Sequence, residues 1–163
     1  MDIIKGKTWT FGENIDTDVI IPGRYLRTFN PQDLADHVLE GERPDFTKNV
    51  KKGDIIVADE NFGCGSSREQ APEIIKHLNI RCVIAKSFAR IFFRNSINNG
   101  LLLIENKDIP DAVREGDELT VIMNDKITFN GKDYPIEPLP DNLMEILNAG
   151  GLVKAMQKRN GLV

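Results

Sequence analysis

Residues 61–70 bring together the side chains most able to do chemistry, in the sequence NFGCGSSREQ. Gly63 and Gly65 allow the backbone to turn tightly and to approach a ligand closely. Ser66, Ser67 and Arg68 follow where a helix is expected to begin, and the free amides and dipole at such a point attract anions. The segment therefore predicts an anion-binding site that contains a possible nucleophile or base.

Three known motifs do not fit this loop. A Walker A loop requires a lysine after its last glycine, but Ser66 follows Gly65. A dinucleotide-binding fingerprint requires a third glycine where Arg68 stands. A nucleophile elbow requires a glycine two residues after its serine, and this loop has none there. The chain has two histidines, His37 and His77, and His77 lies on the polar side of its predicted helix. These facts argue against a serine hydrolase.

The two serines are predicted to differ in role. Ser67 and Gln70 have the spacing of a capping box, which would satisfy the first free amides of the helix. Ser66 is not needed for that cap, so its hydroxyl is either available for chemistry or simply part of a turn. Pro72 removes one amide early in the same helix.

The chain is poor in metal ligands. It has two cysteines, Cys64 and Cys82, and two histidines. A structural zinc or an iron–sulfur cluster normally needs three or four clustered thiolates or imidazoles. Any such metal required by the chemistry would have to come from another subunit.

Composition is typical of a globular protein. Its 163 residues predict a single domain, 1–163, and the net charge of −4, with no basic run, argues against nucleic acid as a partner. The first residues lack the apolar core of a signal peptide, and no later segment is apolar enough to span a bilayer. We therefore expect a cytoplasmic protein without a membrane partner.

The elements that must position the loop follow from hydrophobic patterning. Strands are expected over residues 3–11 and 19–21, a helix from the Asn30 cap and Pro31 to near Gly41, and a polar loop over 43–52. Residues 54–104 then read as β-α-β-α-β, which predicts parallel strands with right-handed crossovers. Short strands over 118–123, 126–129 and 132–136 add an antiparallel part with a hairpin at Asn130-Gly131, and two helices end the chain. The fold class is α/β.

Three segments carry a resemblance to a known family. They are NIDTD at 14–18, the glycine loop at 61–69, and SFARIFFRN at 87–95. Together they resemble the small subunits of 3-isopropylmalate dehydratase and homoaconitase, in the aconitase superfamily. The resemblance extends from about Ile3 to Lys158. It implies the swivelling β/β/α domain of aconitases and a hydro-lyase of leucine biosynthesis that dehydrates and rehydrates isopropylmalate.

The resemblance also assigns cofactor, partner and catalytic roles. It implies a [4Fe–4S] cluster on a large subunit, none on this chain, and a small di- or tricarboxylate substrate. Ser66 matches the family's base and Arg68 its carboxylate-binding arginine, with Ser67 as a weaker substrate contact. Asp18 would orient an arginine of the site or form a turn. Arg90 and Arg94 would contact the large subunit or lie on a solvated face.

A further segment, PGRYLRT at 22–28, matches the loop that contacts the variable end of the substrate in this family. Its predicted substrate contacts are Tyr25, Leu26, Arg27 and Thr28. Arg27 resembles the arginine that binds a distal carboxylate, which suggests that homocitrate or homoaconitate is accepted as well as isopropylmalate. A homoaconitase small subunit is therefore one alternative. A non-catalytic anion- or RNA-binding module is another, and the acidic balance argues against it.

Overall fold

One sheet runs through the computed structural model, which describes residues 2–27 and 30–161. Within these residues the strands are β1 (Ile3–Thr10), β2 (Ile55–Ala58), β3 (Cys82–Ala85), β4 (Leu102–Glu105), β5 (Glu118–Ile122), β6 (Lys126–Phe129) and β7 (Lys132–Pro135). The helices are α1 (Thr17–Ile20), α2 (Pro31–Ala35), α3 (Phe46–Asn49), α4 (Gln70–His77), α5 (Arg90–Asn98), α6 (Ile109–Ala112), α7 (Asp141–Ala149) and α8 (Leu152–Arg159), with a 3-10 turn at Gly23–Tyr25.

The strand order is β4-β3-β2-β1-β5-β6-β7. β1 pairs with β2, β2 with β3, and β3 with β4 in parallel, and α4 and α5 cross between successive strands, as predicted. β5, β6 and β7 pair antiparallel, and β5 joins them to β1. Asn130 and Gly131 both have positive φ, which confirms the predicted hairpin turn.

The core lies on both faces of the sheet. Ile56 and Ala58 of β2 belong to one buried cluster, and Ile55 and Val57 belong to the other. Because alternate strand residues point to opposite faces, the two clusters sandwich the sheet. α4 packs on the first face through Ile75, and α7 packs on the second. This burial on both faces explains why β2 and β3 are continuous apolar runs.

Three local predictions were wrong. Residues 19–21 do not form a strand, because Asp16 Oδ1 accepts a hydrogen bond from the Val19 amide at 2.8 Å and starts the short helix α1. The Asn30 cap is confirmed, but its helix ends at Ala35 rather than near Gly41. The predicted polar loop over 43–52 contains α3, whose Phe46 is fully buried.

Among the residues that the structure describes, no helix is both long and apolar enough to cross a bilayer.

Candidate active site

The glycine loop lies beside the segment that follows β1. The Gly63 amide donates to Ile15 O at 2.7 Å, and the Thr17 amide donates to Cys64 O at 2.9 Å. Thr17 Oγ1 also donates to Ser66 O at 2.6 Å. β1 and β2 are parallel neighbours, so both segments leave the same edge of the sheet. The NIDTD motif at 14–18 and the glycine loop at 61–69 therefore lie together at one site.

Both glycines of the loop are structurally required. Gly63 has φ +83°, and an added Cβ would come within 2.1 Å of Phe92 Cγ. Gly65 has φ +88°, and an added Cβ would lie 3.2 Å from Asp16 Cβ. A side chain at either position would be strained, and at Gly63 it would also collide with a ring.

Ser66 and Ser67 are both exposed, but they differ in their surroundings. The Ser66 carbonyl is held by Thr17, while its hydroxyl has no hydrogen bond to the described residues. Ser67 Oγ lies 3.4 Å from Asn95 Nδ2 of α5. The predicted capping box is wrong, because α4 begins only at Gln70, with Glu69 in the cap position and no side-chain cap. The intervening turn is closed instead by the Ala71 amide on Arg68 O at 3.2 Å.

Arg68 is positioned by two acceptors. Its Nη1 donates to Asp18 Oδ1 at 3.1 Å and to Ile21 O at 3.2 Å. Asp18 Oδ1 also accepts the Gly23 amide at 2.9 Å. The Gly23 amide and then the Arg68 guanidinium lower the pKa of Asp18 below its usual value. Asp18 thus contacts both the Arg68 guanidinium and the first amide of the 3-10 turn.

A cavity of about 310 Å³ opens between the glycine loop and the first turn of α5. α5 starts after Ala89 without a side-chain cap or an acidic residue in its first turn. The free amides of this turn and the guanidinium groups of Arg68 and Arg90 place hydrogen-bond donors around the cavity, although Asp18 offsets part of the Arg68 charge. The lining residues are Thr17, Gly63, Gly65, Ser67, Arg68, Ala89, Arg90, Ile91, Phe92 and Asn95.

Sequence reasoning missed part of this cavity. It placed the helix terminus at α4 alone, whereas the first turn of α5 lines the cavity directly. It also missed Asn95, although both features lie inside the SFARIFFRN motif. Arg90 lines the cavity, while Arg94 is exposed on the same helix and does not line it.

The predicted contact residues of the PGRYLRT segment that the structure describes do not line this cavity. The Tyr25 hydroxyl donates to Glu40 Oε1 at 2.7 Å. Leu26 lines a separate cavity of about 670 Å³ between α2 and α4, together with Ile74. Arg27 is exposed and has no hydrogen bond or ion pair with the described residues. Thr28 lies outside the described residues.

The cysteines do not form a metal site. Burial raises the pKa of the half-buried Cys64 thiol, and nearby Asp16 raises it further. Cys82 is fully buried, and burial raises its pKa to about 12. Within residues 2–27 and 30–161, no three His, Cys, Asp or Glu side chains are grouped to hold a metal ion. The ligands that an iron–sulfur cluster needs are therefore not assembled in this part of the chain.

Comparison with known proteins identifies the class of this site. Residues 4–109 match the aconitase C-terminal domain, and the chain belongs to that family. The resemblance carried by the three motifs, and the swivelling-domain fold that it implied, are therefore confirmed.

Individual relatives within this family carry more specific names. The chain is 64% identical over 157 residues to the 3-isopropylmalate dehydratase small subunit of Lachnospira eligens, covering 96% of each chain. It is 53% identical over 154 residues to the methanogen homoaconitase small subunit of Methanothermobacter thermautotrophicus, covering 93% of this chain and 89% of that protein. The crystal structure of a 3-isopropylmalate dehydratase from Methanocaldococcus jannaschii superposes with a TM-score of 0.93 at 48% identity, covering 99% and 97% of the two chains.

Proposed function

We propose that this chain is the small subunit of a 3-isopropylmalate dehydratase, a cytoplasmic hydro-lyase of leucine biosynthesis. It would interconvert 2-isopropylmalate and 3-isopropylmalate by removing and re-adding water. The observation that carries the proposal is the 64% identity over 96% of both chains with a small subunit of that name. The glycine loop supports it, because Ser66 and Arg68 are two residues apart in sequence and Arg68 lines the cavity beside the loop.

In this proposal Ser66 is the base. As an alkoxide it takes the proton from the substrate carbon next to a carboxylate, so a C–H bond breaks and the Ser66 O–H bond forms. The electron pair left on carbon spreads onto the carboxylate and then forms the alkene as hydroxide leaves the neighbouring carbon. In rehydration, hydroxide adds to the carbon that lost the proton and Ser66 gives its proton to the carbon that lost the hydroxyl, so the other isomer forms and the alkoxide is regenerated.

Arg68 neutralises the carboxylate on which charge develops. Its Nη1 is already occupied by Asp18 and Ile21, whereas its Nη2 and Nε make no hydrogen bonds to described residues. Those two groups present a fork of donors that matches a carboxylate. Asp18 keeps the guanidinium in place while leaving that fork available.

A serine becomes an effective base only where its alkoxide is stabilised. Arg68, Arg90 and the first-turn amides of α5 supply positive charge near the loop. Ser66 is exposed in the isolated chain, however, and water weakens such interactions. We therefore propose that docking of a large subunit over the cavity, with contacts to Arg90 and Arg94, excludes water and completes the site.

The described residues do not fit a [4Fe–4S] cluster, so the proposal places it on the large subunit. Such a cluster supplies a Lewis acid that helps a hydroxyl group to leave. This chain contributes the base, the carboxylate binder and the loop that meets the variable end of the substrate.

A homoaconitase-type activity is the second candidate. Arg27 is exposed and unpaired among the described residues, which leaves its guanidinium available for a distal carboxylate. The 53% identity to a methanogen homoaconitase small subunit supports the same possibility. We propose that Ser67, Tyr25, Leu26 and Thr28 also contact the substrate, with Arg27 deciding between isopropyl and carboxylate ends.

Reconstitution tests the division of labour. The purified chain, the large dehydratase subunit from the same organism, and their mixture are each assayed with 3-isopropylmalate and with homocitrate. Turnover is expected only in the mixture. Turnover by this chain alone would contradict the proposal, and salt-sensitive RNA binding without turnover in the mixture would favour the RNA-binding alternative.

A further inference from the structure

Glu40, in the connection between α2 and α3, holds three side chains at once. Its Oε1 accepts the Tyr25 hydroxyl at 2.7 Å and Arg24 Nη2 at 3.1 Å. Its Oε2 lies 2.7 Å from His37 Nδ1. A carboxylate that meets three partners fixes its neighbours more firmly than a single surface ion pair does.

The rings add a second constraint on the same turn. Tyr25 stacks on His37 with centroids 3.8 Å apart and planes 3° from parallel. Arg24 Cζ lies 4.6 Å from the Tyr25 centroid, within the range of a cation–π contact. The 3-10 turn Gly23–Tyr25 is thus attached to the α2–α3 connection by stacking and by hydrogen bonds.

These contacts hold one end of the 3-10 turn, and the other end of the turn contacts the site. At the near end, the Gly23 amide binds Asp18, which binds Arg68. At the far end, Tyr25 binds Glu40, and exposed Arg27 follows two residues later. The 3-10 turn is therefore held by two carboxylates. Asp18 binds its first residue and Arg68, and Glu40 binds its last residue.

The charge on Glu40 is maintained although its side chain is partly buried. Its side chain is 28% exposed, and burial raises its pKa, but hydrogen bonds from His37 and Tyr25 more than offset that effect. The pKa of Glu40 consequently lies below its usual value, and the group is ionised at neutral pH.

We propose that Glu40 is a positioning residue for substrate specificity: it fixes residues 22–27 and so places Arg27 against the variable end of the substrate. The inference rests on the proposed function. Glu40 itself touches no reacting atom, so its loss would act on substrate binding and selection more than on proton transfer by Ser66.

Three variants, assembled with the large subunit, test this role. Glu40→Gln removes the charge, Tyr25→Phe removes one hydrogen bond while retaining the ring, and Glu42→Gln removes an exposed charge from the same connection. We expect Glu40→Gln to raise KM about fivefold to twentyfold while changing kcat less than about twofold, with a smaller rise in KM for Tyr25→Phe. The ratio of kcat/KM values for 3-isopropylmalate and homocitrate should shift in both, and Glu42→Gln should match the wild type.

Amide hydrogen exchange of this chain gives a readout that does not depend on turnover. The Tyr25 and Leu26 amides donate to Pro22 O and Gly23 O at 3.0 and 3.1 Å, so they report opening of the turn. Their exchange should accelerate about tenfold in Glu40→Gln and remain unchanged in Glu42→Gln. Unchanged exchange would overturn the inference, as would faster exchange with wild-type KM and substrate ratio in an active enzyme. An inactive wild-type mixture would instead show that the proposed function is wrong.

Discussion

The ring of Phe92 occupies the space that a side chain at Gly63 would need. An added Cβ would come within 2.1 Å of Cγ and 2.5 Å of Cδ2 of that ring. Phe92 is buried and meets Phe62 edge-on at 5.5 Å between centroids, so it has little freedom to withdraw. α5 thus sets how closely the Ser66 loop can approach the first turn of that helix.

Gly63→Ala should therefore destabilise the chain. The positive φ and the collision with Phe92 together predict a loss of about 2 kcal/mol or more in the free energy of unfolding. Gly12→Ala is the matched control, because an added Cβ there meets nothing within 4 Å. It should leave stability unchanged or raise it by up to about 1 kcal/mol. Urea unfolding followed by circular dichroism measures both, and an equal loss in the two variants would refute the packing argument.

Ser66→Ala should reduce turnover about a thousandfold, the scale of a lost general base. Because Ser66 is exposed and its hydroxyl has no bond to the described residues, the melting temperature and assembly with the large subunit should not change. Ser67→Ala is the adjacent control and should lose much less activity. Comparable losses in the two serine variants would argue against Ser66 as the base.

Arg27→Val should shift preference towards the isopropyl substrate. Losing a charged hydrogen bond to a distal carboxylate predicts a change of about tenfold or more in the ratio of kcat/KM values. Arg27→Lys retains the charge without the fork of donors and should shift the ratio less. An unchanged ratio in Arg27→Val would exclude a specificity role for this residue.

Low pH should weaken the ion pair between Arg43 and Glu115, which lies outside the site. Arg43 Nη1 is paired with Glu115, and this hydrogen bond lowers the pKa of Glu115 below its usual value of 4.5. A carboxylate with a lowered pKa stabilises the fold fully above the unfolded value, and this stabilisation is lost as pH falls through the folded value.

The stability difference between wild type and Glu115→Gln should therefore be greatest at neutral pH and shrink below about pH 4.5. Denaturant unfolding at a series of pH values measures it. Glu42→Gln, which replaces an exposed carboxylate with no ion pair among the described residues, is the control for the substitution itself. A difference that stays constant down to pH 3 would be inconsistent with the Arg43 pairing as the cause.

Much of the fold could be predicted because it follows from local patterns. β2 and β3 are buried on both faces, so they appear as unbroken apolar runs, and Asn130-Gly131 supplies the positive φ values of a hairpin. Residues 19–21 misled the prediction, since their β-branched character favours a strand while the Asp16 cap favours a helix.

The candidate site was predicted only in part. Its loop follows from glycine spacing, but the position of Arg68 depends on Asp18, fifty residues away in sequence. The contacts of Glu40 with Arg24 and Tyr25, and the placement of the first turn of α5 beside the loop, likewise arise from tertiary packing, which no local pattern encodes. The supposed Ser67 cap failed because the chain makes one more turn before α4 begins.

The site's two halves are held by different kinds of bond. Two main-chain bonds, from Gly63 to Ile15 and from Thr17 to Cys64, hold the Ser66 loop together with the Thr17 hydroxyl on Ser66 O. The two main-chain bonds survive most side-chain replacements. The segment before Arg27 depends instead on side chains, chiefly those of Tyr25 and Glu40. Under the proposed function, a few substitutions around Tyr25 and Glu40 would therefore change which acids are selected and leave the Ser66 loop in place.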